Sequence, residues 1–595
     1  MQNAGISRTT PSRQIGFAAV TLLAVGVFLL LAANRGLDNN SLVSWRWVFS
    51  LVSPGSVLLY ICLLTAGAYW CVKRFDGERY AVPILFVAAF AVGALFWRAP
   101  EVIVDASRYF TQAKYLELYG AGYFLREWGT NIFAWTDMPL IPFVYGVIFK
   151  VLGESRLYIQ VFTTTLYALT VVLTYQVGKI LWNKSTGFLG GLLLLGMPYL
   201  FTQVPLMLVD IPAMFFLMLA VFLFIKALAE GGPALIAFSG LAIWAAVLTK
   251  YSNVLMLSVL PVALVAFLVV KRTGGEALPG RPSLSAAPGS REMLFRGAAV
   301  ALVASVLIGV VVAWKYEIFA AQAGLLMDYQ RPGLKRWGES HVSTFLFQVH
   351  PFIAGAALLS VYAAVKKRDL RFIVVGWLVA VVLLLQIERI RYMISVLPML
   401  ALMAAYGLQV IRSVELRRYV ALCAVASSLA IALFAYLPFM ERISAANLKD
   451  AGEYLNASGA QNIKVVTVPA GEASEVNPAV AVPLLDLFVD GAIGYNAPPA
   501  RMLPESTLTS SLRFTWEHKN PEYYLAKPSG VENAVVVISD GRGMSFTDAA
   551  GGGLAGYRRA KTFDDGIGFF RYQTVVEVYE PLSMAVSAGS ALFAK

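Results

Sequence analysis

Runs of apolar residues, each roughly 17–25 long and broken by short polar punctuation, repeat along the first three quarters of the chain. A run of that length crosses a hydrocarbon core of about 30 Å as a helix. About thirteen spans are predicted, within 16–34, 53–72, 81–97, 156–181, 186–203, 208–228, 234–251, 253–270, 297–315, 345–364, 372–387, 393–411 and 419–438. After residue 439 the pattern changes to ordinary polarity with turn-rich joints. There "IKVVTV" (463–468), "AVVVIS" (534–539) and "FFRYQTVVEVY" (569–579) predict strands, and 443–459 predicts an amphipathic helix before the first of them. The expectation is a polytopic α-helical membrane protein with a small C-terminal soluble α/β domain. Three units follow: 1–79 with two extra spans, 80–438 as the main membrane module, and 439–595.

Charge gives the parity. With Arg8 and Arg13 inside, the inside loops collect Lys73, Arg74 and Arg79, then Lys184, then Lys271 to Arg296, then Lys366 to Arg371, then Arg412 to Arg418. This bias fits an N-terminus in the cytoplasm and places 98–155, 316–344 and everything after 439 outside. The net charge of +12 is accounted for by orientation, so no nucleic acid partner is expected. Cys62, Cys71 and Cys423 lack any CxxC spacing, and His341, His350 and His518 are scattered, so neither a disulfide framework nor a His-based cage is predicted. The first apolar run is too long for a cleavable signal. Loop 273–291, rich in Gly, Pro, Ser and Ala, is expected to be a linker.

The polar residues closest to the spans gather at the outward ends. They include Asp105, Arg108, Tyr109, Asp137, Asp210, Lys250, Arg389, Arg391 and Tyr392, with Arg331 and Arg336 on the loop 328–341. Cations and carboxylates above an apolar bundle suit an amphiphile with an anionic head: the cations hold a phosphate, the carboxylates a hydroxyl or proton. Each residue also has a plainer reading. Asp105 and Asp210 both stand where an N-cap would, with Pro212 in the turn after Asp210. Lys250 could snorkel at the interface. The basic loop could simply be solvated. The charge-dense "ERIRY" (388–392) is harder to explain that way, since orientation needs no cations at an outward end.

The ordered series "DASRY" (105–109), "TDMPLIPFVYGVIFKVLGESR" (136–156), "GMPYLFTQVPLMLVDIPAMFF" (196–216), "GLAIWAAVLTKYSN" (240–253) and "RYMISVLPMLALMAA" (391–405) resembles the polyprenyl-phosphate-sugar glycosyltransferases of the GT-C superfamily. Protein O-mannosyltransferases and lipid A aminoarabinose transferases are members. The resemblance covers about 80–412 and implies Asp105 as the general base of an inverting transfer on the extracytoplasmic side. It implies Lys250 and Arg391, with Arg331 or Arg336, as the groups that stabilise the leaving lipid phosphate. Arg108, Tyr109, Asp137, Asp210, Arg389 and Tyr392 would complete substrate binding. The implied partners are a polyprenyl-phosphate sugar donor, a lipid, glycan or protein acceptor, and membrane lipids. The implied location is the inner membrane of a bacterium. Many relatives carry Asp-Glu where this chain has Asp105-Ala106, which weakens the case for a metal; a divalent metal is left open as cofactor. The rival reading from another class is a transporter or flippase, which would place ionisable residues near the bilayer midplane.

Overall fold

A computed structural model describes residues 11–74, 77–273, 289–468, 476–496, 505–525, 532–540, 556–566 and 573–582. Every predicted span contains a helix. By length and composition, nine helices among the described residues can cross a membrane: those within 14–33, 54–74, 77–94, 156–181, 210–230, 252–272, 290–314, 390–408 and 414–440. The other four predicted spans are shorter helices, Lys184–Leu195, Pro233–Thr249, Pro351–Lys367 and Phe372–Leu384. The run 186–203 is split because Gly196 and Met197 leave the helix before Pro198 opens a second one, Pro198–Gln203. The predicted linker lies almost wholly outside the described residues, as does Arg8.

With lipid outside, the apolar effect cannot drive helices together, so close packing has to do it. Gly407 meets the helix Pro351–Lys367 so closely that a Cβ there would run into the carbonyl oxygen of Ala356, and Gly187 meets Tyr175 in the same way. Helix starts follow from local chemistry. Ser155 accepts from the Leu157 N–H (3.3 Å) to open Arg156–Leu181, and Ser413 accepts from the Leu416 N–H (3.3 Å) to open Val414–Ile431.

The C-terminal region is a five-stranded mixed sheet of β1 (Asn462–Thr467), β2 (Ala492–Tyr495), β3 (Ala534–Ser539), β4 (Tyr557–Phe563) and β5 (Val575–Pro581), in the order β2-β1-β3-β5-β4. β1 runs parallel to β2 and β3, while β5 is antiparallel to β3 and β4. The helix Ala446–Ala457 precedes β1 as expected. The third predicted strand begins at 575 rather than 569, and 567–572 lie outside the described residues.

The helix opened by Asp105, Ala106–Glu127, is not a surface helix along its whole length. Every residue from Ala106 to Ala113 is buried, because the C-terminal region covers that end. Lys114 donates to Asp486 (2.6 Å) and Glu154 (3.1 Å), and the Tyr524 hydroxyl donates to Asp486 (2.7 Å). The helix reaches the surface at Leu118 and Tyr119, just before Gly120, whose φ of +85° breaks it.

Candidate active site

The first turn of Ala106–Glu127 sets the geometry. Asp105 and Arg108 stand three residues apart on one face, with Tyr109 and Gln112 following, and Arg108 Nη1 lies 3.2 Å from Asp105 Oδ1. The Arg108 fork grips Asp137 with two bonds of 2.8 Å, from Nε and Nη2, and Gln112 Nε2 adds a third to that carboxylate at 3.0 Å. Asp137 therefore orients Arg108. Its neighbour Trp135 sits at φ +48°, a conformation costly for an aromatic residue, and turns its ring toward the guanidinium 5.3 Å away.

A second chain segment completes the set from the far side. Arg391, at the start of the helix pair Ile390–Met393 and Leu397–Leu408, binds two carboxylates at once. Its Nη1 is paired with Asp105 and its Nε lies 3.2 Å from Asp210 Oδ2. Lys250, where Pro233–Thr249 ends, donates to the other oxygen of Asp210 at 2.6 Å. The result is a chain of alternating charge: Asp137, Arg108, Asp105, Arg391, Asp210, Lys250. Arg389 stacks on Trp337 at 3.3 Å, lies 3.8 Å from Glu339 and donates to the Tyr392 hydroxyl (3.4 Å).

These groups surround a cleft of about 850 Å³. Nine of the predicted residues line it: Asp105, Arg108, Tyr109, Asp137, Lys250, Arg336, Arg389, Arg391 and Tyr392. Asp210 does not line it; it is buried and paired with two residues that do, Lys250 and Arg391. Arg331 is a correction. It is exposed and does not line the cleft, because the turn Pro332–Lys335 carries Arg336 inward and leaves Arg331 on the outer side. The capping reading also gives way. Neither Asp105 nor Asp210 accepts a capping hydrogen bond, since both carboxylates are taken by cations.

Burial alone would push the Asp105 carboxyl up, but Arg391 and Arg108, with Arg389 further off, outweigh it and hold it well below the usual carboxylate range. Burial drives the Tyr109 hydroxyl well above its ordinary value, with Asp137 adding to the shift, so it stays a neutral donor. Asp105 keeps 15 % of its side chain exposed, unlike Asp210 at 1 %, and so is the carboxylate a ligand can reach. The residues do not fit a divalent metal. Among the described residues no group of three or more His, Cys, Asp or Glu could hold one, and each cleft carboxylate already faces a guanidinium or ammonium.

Sequence reasoning missed the aromatic and C-terminal walls. Trp135, Tyr329, Ser511, Leu512 and Phe514 line the cleft, with Phe514 4.2 Å from the Arg108 guanidinium. The Trp135 indole N–H donates to Glu517 (2.7 Å), and the Tyr329 hydroxyl bonds the Ser510 carbonyl. Only an excess of aromatic residues in turn-rich segments hinted at this.

Next to the cleft runs an apolar groove of about 770 Å³, lined by Phe124, Pro139, Phe143, Trp244, Leu248 and Trp314, with Lys315 also in its wall. It adjoins the cleft on two sides, since Met138 and Thr249 line the cleft while Pro139 and Leu248 line the groove.

Residues 137–278 match a family model described as dolichyl-phosphate-mannose-protein mannosyltransferase. No curated protein sequence matches the chain. Among solved structures it is similar to ArnT from Cupriavidus metallidurans bound to undecaprenyl phosphate, with a TM-score of 0.52 and 13% identity over 83% of this chain and 97% of that one. The apo state of the same protein gives 0.53 and 12% over 84% and 98%. The oligosaccharyltransferase AglB from Archaeoglobus fulgidus, in complex with an inhibitory peptide and a dolichol-phosphate, gives 0.44 and 11% over 78% and 70%. At these identities the likeness to ArnT is one of fold. The chain is a polytopic α-helical membrane protein with the fold of the ArnT structures, and its residues 137–278 match the mannosyltransferase family model.

Proposed function

We propose that the cleft transfers a sugar from a polyprenyl-phosphate donor to an acceptor hydroxyl, with inversion, and that Asp105 is the base. The observation that carries this reading is a reachable carboxylate in the same cleft as a cation pair, beside an apolar groove of lipid-tail character. The donor phosphate would sit against Lys250 and Arg391, and its tail would leave past Met138 and Thr249 into the groove. The acceptor hydroxyl attacks the anomeric carbon, its proton goes to Asp105, and the bond from that carbon to the phosphate oxygen breaks, releasing polyprenyl phosphate.

A carboxylate held this far down is a poor base while Arg391 faces it. A phosphate placed against Arg391 competes for the same guanidinium, so donor binding itself would return basicity to Asp105. Arg108, held from behind by Asp137, keeps the carboxylate aimed throughout. The proposed setting is the extracytoplasmic face of a bacterial inner membrane, supported by the Lys/Arg bias and by the bacterial relative that binds undecaprenyl phosphate. The acceptor would be a lipid, a glycan or a protein.

The purified protein in proteoliposomes, given a sugar-labelled polyprenyl phosphate and acceptor membranes, should release free polyprenyl phosphate and label the acceptor. A label that crosses the bilayer still attached to its lipid would favour the transporter instead.

A further inference from the structure

The helices Pro11–Ala33 and Pro54–Arg74 are joined at the cleft end of the molecule by a segment, 34–53, that the chemistry above does not use. Its residues 38–45 close onto segment 338–348. The Asn39 side-chain amide donates to the Gly338 carbonyl (2.5 Å), and its oxygen accepts from the backbone N–H and hydroxyl of Ser340, both at 3.1 Å. The Ser41 N–H and hydroxyl donate to Glu339 Oε1 at 3.2 and 2.6 Å. Glu339 Oε2 accepts from the Ile390 N–H at 3.2 Å. One step further along, Asp38 accepts from the Ser343 hydroxyl (2.5 Å) and from Gln348 (3.3 Å).

One buried carboxylate, Glu339, thus ties together segment 41, segment 339 and segment 389–390. The immediate neighbours of these contacts are Trp337 and Arg389, which stack in the cleft wall, and then Arg391. Gly338, at φ +64°, turns the chain between Trp337 and Glu339 directly after the short helix Pro332–Lys335, and its N–H donates to the Lys335 carbonyl (3.1 Å). On the far side of that turn, bonds with Asn39 and Ser41 hold Gly338, Glu339 and Ser340 in place.

We infer that segment 38–41 is a brace that positions the Trp337–Arg389 wall for the donor, with Asn39 and Ser41 as positioning residues acting through Gly338 and Glu339. The first two helices are then part of the machinery and not an appendage. This rests on the cleft being the transfer site.

Three variants test it in the purified full chain: the double variant Asn39→Ala/Ser41→Ala, Ser41→Thr, and Asp105→Asn as reference. Displacing a binding group by a fraction of an ångström to an ångström costs about 10- to 100-fold. The double variant should lose about tenfold or more in kcat/KM for the donor, mostly through KM and with kcat little changed, a split that a general loss of stability would not produce. Ser41→Thr keeps the hydroxyl and should retain wild-type kinetics. If the double variant expresses poorly, Ser41→Ala alone should raise KM about threefold on the same grounds. Wild-type kinetics in these alanine variants, with Asp105→Asn inactive, would overturn the brace. An Asp105→Asn protein of full activity would remove the site reading, and the brace with it.

Discussion

Arg391 divides one guanidinium between Asp105 and Asp210, and the consequences of losing it differ for the two carboxylates. Asp210 would still have Lys250, whereas Asp105 would keep only the 3.2 Å contact with Arg108. Arg391→Ala should therefore raise the Asp105 pKa, so the acid limb of the pH–rate profile moves to higher pH, while kcat/KM falls about 100-fold for want of phosphate stabilisation. Arg391→Lys should recover part of the rate, since a point charge replaces a planar fork. A profile whose acid limb stays in place would mean that Asp105 is not the titrating group. At this scale the sequence was informative. Charged residues at the outward ends of apolar runs gave the candidates, and the resemblance of the ordered motifs singled out Asp105, Lys250 and Arg391 among them. It could not separate Arg336 from Arg331, because a single turn decides which of them faces the cleft.

The elements that build the cleft are held by buried polar contacts between distant segments, and two of these give stability predictions. Lys114, Glu154, Asp486 and Tyr524 fasten the C-terminal region to the helix that Asp105 opens. Removing one partner of a buried pair costs about 3–5 kcal/mol. Asp486→Asn should lower the melting temperature and expose the C-terminal region to protease before the helical bundle unfolds; equal resistance in both proteins would count against the clamp. Asp38 supplies a pH signature. Burial raises its pKa to about 6, although hydrogen bonds from Ser343 and the Trp45 N–H oppose this. The folded state then binds the proton more tightly than the unfolded state, whose carboxyl titrates near 4. The contribution of Asp38 to stability should be greatest below about pH 4, fall as pH rises to about 6, and level off above that, by about 3 kcal/mol at most. Asp38→Asn should flatten this part of the profile, and an unchanged slope would assign it elsewhere. None of these side-chain contacts was legible beforehand, since partners 38 to 372 residues apart share no local pattern. β4 escaped for a related reason: Arg558, Arg559 and Lys561 on this edge strand hide its alternation.

For the molecule as a whole, the apolar runs were enough to predict each of the nine helices among the described residues that are long and apolar enough to cross a membrane, because lipid imposes length and composition directly. Orientation is the next claim at this scale. With Cys62, Cys71 and Cys423 replaced, Lys519→Cys in the C-terminal region should react with an impermeant maleimide in intact cells, and reaction only after permeabilisation would invert the topology. The central claim is that one cleft joins a lipid-phosphate site to a carboxylate base, and Asp105→Asn tests it most directly. The change keeps the size of the side chain and removes the basic oxygen. Loss of a positioned base costs about 10²–10⁴-fold in rate. Donor binding and single-turnover sugar transfer should be measured side by side on purified wild-type and Asp105→Asn protein. The account predicts that the variant binds a polyprenyl-phosphate sugar within a fewfold of wild type and transfers it at least about 100-fold more slowly. Turnover near the wild-type rate with normal donor binding would contradict it.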